Sequence, residues 1–193
     1  RVAADEINYR RFFDINDLAS LRMEQPDVFD ETHRLVLNLV RRGLVDGLRI
    51  DHPDGLYDPR EYFCRLQAAA RATQDGAGPA DPDGGHTPRP VWLVVEKILA
   101  PQERLRTDWP VHGTTGYDFT ALCSGVLVET RAAKALDRIY RTHLGEPIDP
   151  DELVYQSKKL IMKSALASEL NVLASQLSQI AESDRHTRDY TLN

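Results

Sequence analysis

Two short apolar runs, each ending on a carboxylate, constrain this chain more than any other feature. The first reads Val45-Asp46-Gly47-Leu48-Arg49-Ile50-Asp51 and the second Val91-Trp92-Leu93-Val94-Val95-Glu96. Short runs with β-branched residues, bounded by turn chemistry such as His52-Pro53-Asp54-Gly55, suit buried strands of a parallel sheet. Between them, Pro59 opens a helical pattern that runs to about Ala72. Strand, helix, strand makes a βαβ unit. Parallel strands open their C-terminal ends onto one surface, so Asp51 and Glu96 are expected side by side at the end where α/β proteins gather their sites.

The flanking segments read as follows. Ile7 to Leu21 mixes aromatic and charged residues without a period and is expected to be loop with short regular pieces. Pro26 and Asp27 open a helix whose apolar stripe is Thr32, Leu35, Val36, Leu39 and Val40, closed by Gly43. Residues 73–90 are rich in Gly, Pro, Asp and Ala, the composition of a mobile loop. His112 to Asp118 is a turn-rich loop followed by helical patterns. Asp149 is placed to N-cap a last long helix of about 30 residues, with Pro150 at its first position and Glu152 at its third. Along it Leu160, Ile161, Leu166, Leu170, Leu173, Leu177 and Ile180 form one stripe, expected to be packed. The chain is thus expected to be α/β, with residues 1–120 as one segment, including the loop at 73–90, and residues 121–193 as a helical insertion.

Composition removes several function classes. A net charge of −6 over 193 residues, with no Lys/Arg block, argues against a nucleic-acid surface. No run approaches the ~18 apolar residues of a membrane span. Cys64 and Cys123 are too few for a disulfide framework, which favours a reducing, cytoplasmic setting and two buried small hydrophobes. The six histidines form no metal-ligand spacing. No metal or organic cofactor is implied.

Strands about 4.8 Å apart can hold two carboxyls about 5–5.5 Å apart, the separation at which retaining glycosidases work. One carboxylate attacks the sugar and the other protonates the leaving oxygen. Arg49, two residues before Asp51, shares its face of the strand and favours the ionised, nucleophilic form of Asp51. The Val91–Val95 run gives Glu96 an apolar approach suited to a proton donor. On the residues alone, an acid that caps a helix or ties a loop remains open at both positions.

Gly47-Leu48-Arg49-Ile50-Asp51-His52 resembles the G-x-R-x-D region around the nucleophile of the α-amylase superfamily, and Val94-Val95-Glu96-Lys97 resembles the region of its acid/base glutamate. A narrower likeness follows from GLRIDHPDGL (Gly47 to Leu56), VEKIL (Val95 to Leu99), GTTGYDF (Gly113 to Phe119), INYRRFFDIN (Ile7 to Asn16) and the tail Thr187 to Thr191. Together these are similar to the maltooligosyl trehalose synthases. The resemblance implies a partial (β/α)8 barrel around strands four and five, with a largely helical C-terminal part. It implies Asp51 as nucleophile, Glu96 as acid/base and Arg49 beside them. It also implies an intramolecular glucosyl mutase that acts on maltooligosaccharides in trehalose biosynthesis. Asp54 and Gly55 stand where α-amylases often carry Lys and His, which points to a different acceptor site. The superfamily's D-x-x-x-x-N-H region and His-Asp pair have no counterpart here, so the chain is expected to be an internal fragment, inactive by itself.

Other candidates carry two readings each. His52 is read as a contact to substrate hydroxyls, or as the holder of the turn before Pro53. Lys97 reaches a sugar hydroxyl or pairs with a surface acid. Tyr117 and Asp118 form a wall of the acceptor site, or simply start a helix. Arg10, Arg11, Phe12 and Phe13 line the cleft or pack at a domain edge. For function, a glucan hydrolase of the same superfamily and a non-catalytic structural or glucan-binding piece remain open. Exposed strand edges in a partial sheet are expected to favour self-association.

Overall fold

The computed structural model describes residues 7–72 and 90–188. These fall into two compact units: Leu21–Val128 forms one, and the described residues up to Ser20 group with those from Glu129 onward.

The Leu21–Val128 unit is a small α/β layer. Helix α1 (Pro26–Arg41) leads to strand β3 (Gly47–Ile50), a 3-10 turn (Pro53–Gly55), helix α2 (Pro59–Ala72), strand β4 (Trp92–Val95), strand β5 (Gly113–Thr114) and helix α3 (Tyr117–Val126). Strands β3, β4 and β5 lie in that order, all parallel. The expected βαβ unit is therefore present, with β3 shorter than its apolar run. β5 falls in a segment that reads as turn; two residues are too few to show a period. The loop expected at 73–90 lies, but for Pro90, outside the described residues.

Alternation along the strands builds the core. Leu93 and Val95 are fully buried on one face of β4 and meet Phe63 and Leu66 of α2, Phe29 of α1, and Trp109 and Val111 from the approach to β5. Leu48 and Ile50 of β3 pack against the same cluster. Each fully buried side chain of this size contributes roughly 1.5–3 kcal/mol. Gln67 of α2, also buried, fixes the strand entries. Its Nε2 donates to the Val91 and Pro110 carbonyls at 3.1 and 3.0 Å, and its Oε1 accepts from the Val91 N–H at 3.1 Å. On the opposite face Gly47 lies under Trp92, where an added Cβ would stand 3.0 Å from the Trp92 carbonyl oxygen.

Helix α1 is rotated relative to the stripe read from sequence. Its buried residues are Phe29, His33 and Val40, whereas Leu35 is exposed. His33 turns inward because both ring nitrogens are satisfied there. Nδ1 lies 2.9 Å from the Phe29 carbonyl, which can only accept, so Nδ1 carries the proton and Nε2 accepts from the Tyr62 hydroxyl at 2.8 Å. Burial pushes the His33 imidazole down and the Tyr62 phenol up to about 12. Gly43 takes φ 63° just past the helix end, as expected.

The second unit holds the antiparallel pair β1 (Arg11–Phe12) and β2 (Ile15–Ala19), then helices α4 (Ala133–Leu144), α5 (Pro150–Lys163) and α6 (Ala167–Ser183). Asp149 caps α5 by accepting from the N–H groups of Asp151 and Glu152. The single long helix expected after it is two helices. Ser164 turns its hydroxyl back onto the Leu160 carbonyl at 2.7 Å, competing with the helical ladder. The Ala165 carbonyl at the break accepts from Arg11 Nη2 at 2.8 Å, and the same guanidinium forks onto Glu169 in the first turn of α6 at 2.7 Å through Nε and Nη2. The leucine stripe is also corrected. Leu160, Ile161, Leu170, Leu173, Leu177 and Ile180 are exposed. So is Cys123, while Cys64 is half-buried; both are free thiols. No helix among the described residues is long and apolar enough to cross a membrane.

Candidate functional site

The register of the parallel pair determines where the two acids stand. Ile50 lies opposite Val95, and the ladder continues one step through the Glu96 N–H to the Ile50 carbonyl at 2.8 Å. Asp51 and Glu96 are the next residues of each strand. They emerge on the face of Arg49 and Val94, opposite the face that buries Leu93 and Val95, as the two-residue period requires. The chain must then turn sharply. His52 does so in the left-handed region, at φ 49° and ψ 50°, with Pro53 opening the 3-10 turn behind it.

Arg49 bridges the pair. Its Nη1 donates to Asp51 Oδ1, and its Nη2 lies 3.2 Å from Glu96 Oε1. His52 adds a second bridge, with Nδ1 at 2.6 Å from Asp51 Oδ2 and 3.5 Å from Glu96 Oε2, and its backbone N–H at 3.4 Å from the same Glu96 oxygen. Tyr117, the first residue of α3, donates its hydroxyl to Glu96 Oε1 at 3.0 Å. The apolar approach along β4 ends at Val95, and the Glu96 carboxyl itself meets polar partners. Hydrogen bonding with the Glu96 carboxyl holds Asp51 below its ordinary value; desolvation opposes this, and hydrogen bonds from Arg49 and His52 add to it. The Tyr117 phenol is raised, first by its bond to Glu96. Side-chain exposure separates the two acids, with Asp51 at 52% and Glu96 at 16%.

The remaining candidates lie around this pair. Asp118 accepts from the Thr114 hydroxyl at 2.6 Å, and that bond, with N–H groups at the start of α3, lowers its carboxyl. Lys97 turns to two acids, Asp54 at 3.2 Å and Glu103 at 2.8 Å, and its ammonium is raised chiefly by Glu103. Arg11 is buried in the other unit, held by Glu169 and Asn16. Sequence reading did not find Thr114, Glu103 or the bond from Tyr117 to Glu96, and it named Asp54 only as a turn residue at a changed acceptor site. None belongs to a periodic pattern.

One atom each from Asp51, His52 and Glu96 falls within a 4.8 Å group, a set that could in principle ligate a cation. The Arg49 guanidinium already occupies the charge gap between the two carboxylates, so this donor set suits an arginine-bridged acid pair better than a metal ion.

At the ends of adjacent parallel strands, one oxygen of Asp51 and one of Glu96 lie within 4.8 Å of each other, close enough for two carboxyls to act on one sugar. No family model matches the chain. A Mycobacterium tuberculosis protein whose name, maltooligosyl trehalose synthase, is itself provisional is 37% identical over 179 residues, covering 91% of this chain and 21% of that protein. The solved structure of maltooligosyltrehalose synthase from Arthrobacter ramosus superposes with a TM-score of 0.79 at 39% identity, over 94% of this chain and 22% of that one. That of a hypothetical maltooligosyl trehalose synthase from Sulfolobus tokodaii gives 0.69 at 34% identity, over 90% and 21%. In sequence and fold the chain corresponds to a segment of the maltooligosyl trehalose synthases, and it spans about a fifth of the length of the curated relatives it matches.

Proposed function

We propose that the complete protein containing this chain is an intramolecular glucosyl mutase. It would convert the reducing-end α-1,4 link of a maltooligosaccharide into an α,α-1,1 link, leaving a trehalose end. The observation that carries the proposal is the Arg49-bridged pair Asp51 and Glu96 at the ends of neighbouring parallel strands. In this reading β3 and β4 are strands four and five of a (β/α)8 barrel.

Asp51, the more exposed and held below its ordinary value, attacks the anomeric carbon of the penultimate glucosyl unit. The bond from that carbon to the 4-oxygen of the terminal glucose breaks as Glu96 gives that oxygen its proton. Glu96, now a carboxylate, takes the proton from the anomeric hydroxyl of the freed glucose. That oxygen attacks the glycosyl ester, the bond to Asp51 breaks, and two displacements leave the α configuration retained. Arg49 holds both carboxyls at their working separation. His52 contacts sugar hydroxyls, and Tyr117 and Asp118 wall the acceptor side. The freed glucose must be held and water excluded until transfer is complete. The chain alone carries two carboxylates on three parallel strands, and we expect it to be inactive.

The test is a reducing-end titration of maltohexaose treated with the complete protein, wild type beside Asp51→Asn. Loss of reducing ends at constant chain length, abolished in the variant, is the expected result. A rise in reducing ends would identify a hydrolase of the same superfamily and overturn the mutase assignment.

A further inference from the structure

We infer that Lys97 is a positioning residue: with Asp54 and Glu103 it clasps the turn after β3 to the segment after β4, and so holds the left-handed His52 turn against Glu96. This rests on the mutase reading of Asp51 and Glu96. Lys97 directly follows Glu96. Its side chain is 15% exposed, although lysine ordinarily extends into water. The ammonium lies 3.2 Å from both Asp54 oxygens and 2.8 Å from Glu103. Glu103 is anchored in its turn. Its Oε2 accepts from the Ala100 N–H at 3.1 Å, while its own N–H donates to the Ala100 carbonyl at 2.9 Å. Asp54 sits in the middle of the Pro53–Gly55 turn, next to His52 but one.

Strain makes the clasp matter. His52 at φ 49° is in a region that a residue with a Cβ rarely adopts. Such a residue persists only where its surroundings over-determine it. On one side His52 is tied through its N–H to Glu96 and through its ring to Asp51. On the other, the turn is tied through Asp54 to Lys97. Without the second tie the turn can relax toward an ordinary φ. The His52 N–H then swings from Glu96, and Asp51 loses its ring partner. A misplacement of about 1 Å between reacting groups costs on the order of 100-fold in rate.

The experiment uses the complete protein on maltohexaose, comparing wild type with Lys97→Met, Asp54→Asn, the double variant and Lys97→Arg. Each single neutral variant is expected to lower kcat roughly 10- to 100-fold with KM within about twofold. The double is expected to be no worse than the poorer single, and Lys97→Arg to recover part of the loss. A raised KM at unchanged kcat would make Lys97 a sugar ligand and overturn the inference. Additive losses, or wild-type rates throughout, would do the same. If wild type leaves maltohexaose untouched, or Asp51→Asn still turns it over, the mutase reading fails instead. The clasp is then judged from 15N-histidine spectra. The His52 ring signal should lose its Asp51-bonded shift in Lys97→Met, and an unchanged signal overturns the clasp.

Discussion

Gln67→Met removes one amide and little volume, so it isolates what that amide does. The wild-type side chain is 1% exposed and makes three bonds to main-chain groups at the entries of β4 and β5. Methionine fills the space but leaves the Val91 carbonyl, the Pro110 carbonyl and the Val91 N–H without these partners. Each buried group left unsatisfied costs about 1–3 kcal/mol. Some relief comes as the strand entries shift toward water, so a net loss of roughly 3–5 kcal/mol is expected, a large share of the 5–15 kcal/mol or so that holds a typical domain. With a urea m-value of about 2 kcal/mol/M, the midpoint should fall by about 1.5–2.5 M. Far-UV circular dichroism through a urea titration measures it. Because β4 (Trp92–Val95) follows Val91 directly, the variant should also speed amide exchange at Leu93 and Val95. A midpoint within about 0.3 M of wild type would refute the reasoning, since the three main-chain groups would then have found other partners at no cost.

Gly47→Ala places a Cβ 3.0 Å from the Trp92 carbonyl oxygen and 3.2 Å from its Cβ, where backbone must give way. A loss of about 1–3 kcal/mol is expected, and a thermal midpoint equal to wild type would sink the close-approach argument. His33 is held below its ordinary value mainly by burial, with the Phe29 carbonyl and Asp30 acting in the opposite sense. The unfolded chain then takes up a proton below about pH 6.5 that the folded chain resists, so stability present above that value is lost as pH falls toward the depressed folded value. Thermal midpoints from pH 7.5 to 5.0 should fall in wild type, while His33→Leu, though less stable at pH 7.5, should show a flatter profile; parallel profiles would contradict this. Edges at β3 and β5 and the exposed apolar residues of α4, α5 and α6 are expected to drive self-association of the chain. A light-scattering mass of 21.8 kDa at high concentration would count against it.

What the sequence shows, and what it hides, follows from how far each contact reaches. β3, α2 and β4 are legible because each declares itself within a few residues: an alternating or apolar run, a proline at the helix start, a carboxylate at the strand end. Once two such strands pair in parallel, a single register puts Asp51 beside Glu96, and Arg49 follows by its two-residue offset. Nothing local announces β5, which is strand only because Val94 and Val95 offer it a ladder. His33 reads as polar and is core only because Tyr62, 29 residues on, accepts its geometry. The apolar stripe of α1 is then rotated by the fit of Phe29 and His33 against α2, although the sequence offers Leu35 just as readily. The break between α5 and α6 depends on Arg11, 154 residues before the Ala165 carbonyl it caps.

The same distinction holds inside the site. The arginine is a strand residue and each acid directly follows a strand, so periodicity finds them. Tyr117, Lys97 and Asp54 are loop and helix-start residues with partners on other segments, so sequence leaves Tyr117 and Lys97 two readings each, while their positions give Tyr117 to Glu96 and Lys97 to Asp54 and Glu103. A carboxylate pair needs both kinds of residue. The strands set where the acids begin, but strand ends are free to splay once the ladder stops, and the last ladder bonds near the pair are those of the Glu96 and Thr115 N–H groups. Beyond that point the separation of Asp51 and Glu96 is held by Arg49 and by the His52 ring and N–H between the acids, and by the Lys97 clasp between the loops that carry them. Substitutions in that outer set should therefore change the rate of the chemistry before they change the affinity for sugar, whereas substitutions in the strands should change stability first.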